Sequence, residues 1–125
     1  MEIHESAEMY LETILVLKNR IGLVRSIDIV HEMDFSKPTV SIAMKKFKED
    51  KLITIDESGF IELTNRGRDI AEKIYERHQV LTQILLSLGV SQATAENDAC
   101  KIEHDISEET FDCLKKEYIR LRNRK

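Results

Sequence analysis

Asp34-Phe35-Ser36-Lys37-Pro38-Thr39-Val40-Ser41-Ile42-Ala43-Met44-Lys45-Lys46-Phe47-Lys48, residues 34–48, decides the fold. Ser36 is placed to accept backbone N–H bonds from a helix, and Pro38 is tolerated in that helix's first turn because no intrahelical donor is needed there. Val40, Met44 and Phe47 fall at i, i+4 and i+7, an apolar stripe expected to face the first helix of the chain. Thr39, Ser41, Ile42, Lys45 and Lys48 lie on the other side. Upstream, Met9, Leu11, Ile14, Leu15 and Leu17 predict a helix over residues 5–20, stopped by Gly22. Ser26 is expected to cap a short second helix with Ile27, Ile29, Val30 and Met33 as its apolar positions, followed by the turn Asp34-Phe35-Ser36. Downstream, Ile53 and Ile55, then Phe60-Ile61-Glu62-Leu63, read as two short strands around Glu57-Ser58-Gly59. Helix, helix, turn, helix, hairpin is the winged helix-turn-helix order, in which the second helix of the turn motif is offered to the major groove of DNA.

The remainder predicts helices only. Thr64 is the expected N-cap of a long fourth helix to about Leu86, with Ile70, Ile74, Val80, Leu81, Ile84 and Leu85 as its apolar side and Gly89 as its end. Ser91 should cap a fifth helix holding Ala95, Ala99, Ile102 and Ile106, and Ser107 a sixth with Phe111, Leu114, Tyr118 and Leu121. The basic tail from Arg120 to Lys125 is expected to fray. The fold class is therefore mainly α: a winged helix-turn-helix DNA-binding domain over residues 1–63 and a helical domain over residues 64–125.

Composition narrows the function. A chain of 125 residues, 42% hydrophobic, is one compact unit or two small lobes, and a partner copy would help it bury apolar surface. The formal charge of −4 argues against binding nucleic acid by gross electrostatics. Local distribution reverses this, because Lys37, Lys45, Lys46, Lys48 and Lys51 crowd the third helix and its exit, opposed there by Glu49 and Asp50. The two cysteines and the absence of a signal-like segment suggest neither secretion nor a disulfide framework. No apolar run approaches the roughly 18–20 residues that span a membrane. A reducing cytoplasm is the expected location.

Cys100, Glu103 and His104 stand at i, i+3 and i+4, which places a thiol, a carboxylate and an imidazole on one helical face. Met9 and Glu12, at i and i+3 on the first helix, and His78 on the fourth add further metal-ligand types. A metal held by all of these would tie the two ends of the chain together and act as a switch rather than a catalyst.

Taken with Ser36-Lys37-Pro38-Thr39-Val40-Ser41, the segments Met9-Tyr10-Leu11-Glu12, Arg77-His78 and Asp98-Ala99-Cys100-Lys101-Ile102-Glu103-His104-Asp105-Ile106-Ser107 resemble the DtxR/MntR family of metal-dependent transcriptional repressors, in its short, two-domain form. The match runs in order through nearly the whole chain, and Cys-x-x-Glu-His is its most specific part. The resemblance implies a DNA-binding lobe, a metal-binding and dimerisation lobe, a homodimer on double-stranded operator DNA, and repression of metal-uptake genes; it implies no enzyme. It assigns Met9, Cys100, Glu103 and His104 to the principal site, Glu12 to a ligand position of the manganese branch, and His78 to a histidine ligand of both branches. Thioether and thiolate donors favour Fe(II) over Mn(II), whereas affinity order alone favours Co(II), Ni(II) or Zn(II). Thr82 stands where the iron branch has a glutamate and Glu96 where it has a histidine, so a second site would keep His78 and Glu96 in altered form. On the DNA side, Ser36, Thr39 and Ser41 are candidate phosphate anchors, Lys37, Pro38 and Ile42 face bases, and Lys45 and Lys48 add non-specific attraction.

Plainer readings apply to other residues. Cys113 is expected to be a small buried side chain, His31 a solvated or capping histidine, and His4 part of a fraying end. Two other classes compete with the repressor: a metal-independent winged-helix regulator answering to a small molecule or thiol oxidation, and a hydrolytic metalloenzyme, against which stands the lack of a convergent general base.

Overall fold

The computed structural model describes residues 5–123; His4 and the last two residues of the expected frayed tail lie outside them. Contacts divide the chain between Glu72 and Lys73 into two compact units. The elements, in order, are α1 (Glu5–Ile21), α2 (Ser26–Met33), α3 (Lys37–Glu49), β1 (Ile53–Ile55), β2 (Ile61–Leu63), α4 (Asn65–Ser87), α5 (Gln92–Ile102) and α6 (Glu108–Arg122). This is the mainly α winged helix-turn-helix followed by helices that the sequence predicts.

In the first unit, Leu11, Ile14 and Leu17 of α1, Ile29 of α2, Val40, Met44 and Phe47 of α3, Leu52, Ile53 and Ile61 build one core. Tyr10 joins it at 5% exposure and meets Phe47 and Phe35 edge-on, with ring centroids 5.5 and 5.7 Å away. Its phenol pKa is pushed up by that burial. Ile27, expected inside, is 39% exposed. On so short a helix Ile29, Val30 and Met33 already form the inner face, and Ile27 falls outside it. The N-cap of α2 is Arg25 rather than Ser26; its amide is held by the Asp28 carboxylate at 2.9 Å. Asp34 ends α2 in the left-handed region at φ 56°, a conformation that aspartate tolerates better than most residues.

Ser36 caps α3 as expected: its Oγ accepts the Thr39 amide at 3.3 Å. β1 and β2 pair antiparallel with Ile53 opposite Leu63 and Ile55 opposite Ile61. Gly59, at φ 85°, and an Asp56 carboxylate that accepts the Ser58 and Phe60 amides, both at 2.9 Å, close the hairpin. Val24, just past α1, adds a bridge, its carbonyl taking the Ile61 amide at 2.7 Å. Lys18 of α1 also pairs with Glu62 of β2. Thr64 caps α4 through the Gly67 amide at 3.1 Å, and its own amide donates to the Leu52 carbonyl at 3.0 Å.

In the second unit, Ile74, Leu81, Ala95, Ala99 and Phe111 are buried. Gly89, at φ 98°, with a bond from the Val90 amide to the Leu85 carbonyl at 3.1 Å, ends α4 as expected. Ser91 occupies the N-cap of α5 without a side-chain capping bond, whereas the Ser107 hydroxyl accepts the Thr110 amide at 3.1 Å. Three expectations fail here. α5 ends at Ile102, so Ile106 lies in the following turn, and α6 stays helical through Arg122, well into the tail expected to fray. Cys113 is exposed, because the inward side of α6 is taken by Phe111.

Candidate functional site

Although α5 stops at Ile102, Glu103 keeps helical dihedrals (φ −58°, ψ −26°) and its amide still donates to the Ala99 carbonyl at 2.9 Å. The helical spacing of Cys100, Glu103 and His104 therefore survives the helix end. One ligand atom from each of the three lies within 4.8 Å of the others. The Glu103 side chain is fully buried and so is that of His104, with His104 Nε2 3.4 Å from Glu103 Oε1. Glu103 Oε2 is 2.9 Å from Nδ1 of His78, on α4, whose side chain is 27% exposed. His78, Cys100, Glu103 and His104 are thus gathered in the second unit.

Glu103 carries the physical argument. A fully buried carboxylate is costly unless each oxygen finds a partner. Oε2 faces the His78 imidazole, but Oε1 receives no hydrogen bond among the described residues. A cation stabilises an oxygen in this situation, and the neighbouring sulfur and imidazole nitrogen suit a borderline divalent transition ion better than calcium or magnesium. The residues present fit a metal ion.

Arg77, a motif residue to which the sequence assigns no role, supports the turn. Its Nη1 donates to the carbonyls of Glu103 at 3.1 Å and Ile106 at 3.0 Å, and its guanidinium lies 5.3 Å from the centre of the Phe111 ring. One side chain of α4 thereby pins both ends of the segment that carries Glu103 and His104. Sequence offered a weak signal: an arginine beside a candidate ligand on a helix face otherwise filled by apolar side chains.

In the first unit Met9 and Glu12 occupy successive turns of α1 and are both partly buried. On α3, Ser36, Lys37, Pro38, Thr39, Ser41, Ile42, Lys45 and Lys48 are all exposed on the side away from Val40, Met44 and Phe47.

Residues 2–59 match the family model of the iron dependent repressor N-terminal DNA binding domain, and residues 64–122 that of the iron dependent repressor metal binding and dimerisation domain. Transcriptional regulator MntR of Escherichia coli O6:H1 is 35% identical over 111 residues, covering 89% of this chain and 72% of that protein. The chain belongs to the DtxR/MntR family. MntR of Salmonella typhimurium is 34% identical over 110 residues, 88% of this chain and 70% of its own length. Among solved structures, the manganese regulator SloR superposes with a TM-score of 0.77 at 26% identity, covering 93% of this chain and 54% of SloR. The chain thus spans about half the length of SloR. DtxR/MntR proteins are metal-dependent DNA-binding regulators, which agrees with the winged helix and the metal-fitting cluster described above. Of the two positions where the resemblance implies an altered second site, Thr82 is buried at 6% exposure, and Glu96 is exposed, accepting a bond from Gln92 at 2.7 Å and standing outside the Cys100, Glu103 and His104 group. No helix of the described residues is long and apolar enough to cross a membrane.

Proposed function

We propose that this chain is a metal-activated, homodimeric repressor of metal-uptake genes that reads operator DNA in the cytoplasm and is not an enzyme. The single observation that supports it best is the buried Glu103 carboxylate with Cys100 and His104 within 4.8 Å, in a chain that also carries a capped, lysine-flanked recognition helix. In this reading residues 1–63 bind DNA and residues 64–125 bind metal and dimerise. His78, Cys100, Glu103 and His104 supply ligands, the family resemblance adds Met9 and Glu12, and Glu96 belongs with His78 to a separate, altered second site. The bound ion supplies positive charge to a buried anionic ligand set, so that one pose of the protein is favoured over others by its differential affinity, each tenfold ratio being worth about 1.4 kcal/mol. By linkage, operator DNA tightens metal binding by the same factor.

Sulfur from Cys100 and Met9 supports Fe(II) ahead of Mn(II), with Co(II), Ni(II) and Zn(II) able to substitute in vitro. At the DNA, Ser36, Thr39 and Ser41 anchor phosphate, Lys37, Pro38 and Ile42 face bases, and Lys45 and Lys48 add long-range attraction. The test is a mobility shift on the chain's own upstream DNA, anaerobic and reducing, across a series of divalent ions. Fe(II) or Mn(II) confers binding and His104→Ala abolishes it. Equal binding by metal-free and mutant protein overturns the proposal, and a shift insensitive to chelator but lost on thiol oxidation favours a redox-responsive regulator instead.

A further inference from the structure

Ile42 is 72% exposed, standing on the outward face of α3 in its second turn. Pro38, also exposed, precedes it by four residues, so two apolar side chains are stacked one turn apart on that face. Around them stand exposed Lys37, Lys45 and Lys46. A pair of aliphatic groups ringed by lysines is too small and too charged for a protein-docking patch, whose centre is depleted of lysine. Its charge complements a polyanion. Thr39, between them in sequence, has its hydroxyl 2.7 Å from the Ser36 hydroxyl, so that group is engaged in the cap.

Resting on the DNA-binding reading above, we infer that Ile42 is a specificity-determining residue that selects thymine through its C5-methyl group. An isoleucine has no donor or acceptor, so it gains nothing from the polar edges of guanine, adenine or cytosine in the major groove. The thymine C5-methyl is the one methyl group a base pair shows there. Burying Ile42 against it removes two apolar surfaces from water at once, whereas burial against a polar edge strips water from hydrogen-bonding groups with no replacement. The operator should therefore carry a thymine at the equivalent position of each half-site, and the discrimination resides in one methyl.

The test uses the full chain with Fe(II), under anaerobic reducing conditions, to select duplexes from a random-sequence library. Each thymine of the selected duplex is then replaced singly by uracil, which deletes only the methyl. One thymine per half-site should lose about fourfold in affinity on replacement, the worth of a single methyl burial. Ile42→Ala should abolish the thymine-over-uracil preference at that position alone, and Ile42→Val should retain part of it. A selected duplex indifferent to uracil everywhere, or a preference of unchanged size in Ile42→Ala, overturns the assignment and leaves the repressor reading standing. Failure to select any sequence overturns that reading, and this inference with it.

Discussion

The backbone of Gly67 lies against the carbonyl oxygen of Leu52, so that a Cβ added to the glycine would sit 2.0 Å from that oxygen. The same carbonyl receives the Thr64 amide, and the start of α4 is therefore docked onto the residue that leads into β1. Gly67→Ala forces backbone, not a flexible side chain, to move. Overpacking of this kind costs about 1–3 kcal/mol, and urea denaturation should show at least that loss. A variant as stable as wild type would mean that the helix start can shift freely.

Ligand linkage gives the second expectation. If the Glu103 cluster holds the ion, Fe(II) or Mn(II) at about a hundredfold over its dissociation constant should stabilise the protein by about 2.7 kcal/mol, and chelator should reverse it. Glu103→Gln preserves the shape of the buried side chain and removes its charge, so metal-induced stabilisation should largely vanish. Thermal melts with and without metal read this directly.

Arg77→Ala removes both carbonyl contacts that pin the turn from Glu103 to Ile106. Supporting contacts around metal ligands are worth about 10- to 100-fold in affinity, and a competition titration against a chromogenic chelator should find a loss in that range. Helical circular dichroism should be retained, which separates loss of positioning from loss of fold.

The whole of α3 is legible because a period of 3.6 over many residues is a strong signal: Ser36, Val40, Met44 and Phe47 hold the roles their spacing predicts. Local capping at Thr64 and the glycine stop at Gly89 were equally readable, since both depend on neighbours in sequence. The end of α5 was not. Continuing the apolar rhythm to Ile106 misses a turn fixed by Arg77, a residue 26 positions from Glu103, and no local pattern encodes that tie. Tyr10 is not legible as core because a phenol is ambiguous between core and surface, nor Gly67 as a contact point because its tight approach to Leu52 is a property of packing. The grouping of Cys100 with Glu103 and His104 could be read from spacing because helical dihedrals persist one residue beyond the helix.

Burial also sets an alkaline limit. The Tyr10 phenol is held above its ordinary pKa by desolvation, so as pH rises past about 10 the unfolded chain loses this proton before the folded one does. Stability from this residue is full below that range and declines through it. Tyr10→Phe should flatten the decline in a denaturation series from about pH 9 to about pH 11, the window around the free phenol.

The lysines of α3 make a distinct claim on salt dependence. A plot of log affinity for operator DNA against log salt should be linear, and Lys45→Ala should lower its slope by about one while leaving the preferred sequence unchanged. An unaltered slope would place Lys45 away from phosphate.

Ile61 is tied at once to Ile55 across the hairpin and to Val24 at the exit of α1, and Lys18 meets Glu62 beside it. The hairpin is therefore no dangling arm but a rider strapped to the first helix. To open, the wing must break its ties to α1 as well as its own pairing, so amide exchange at Ile61 should keep pace with that of the deepest residues of α1.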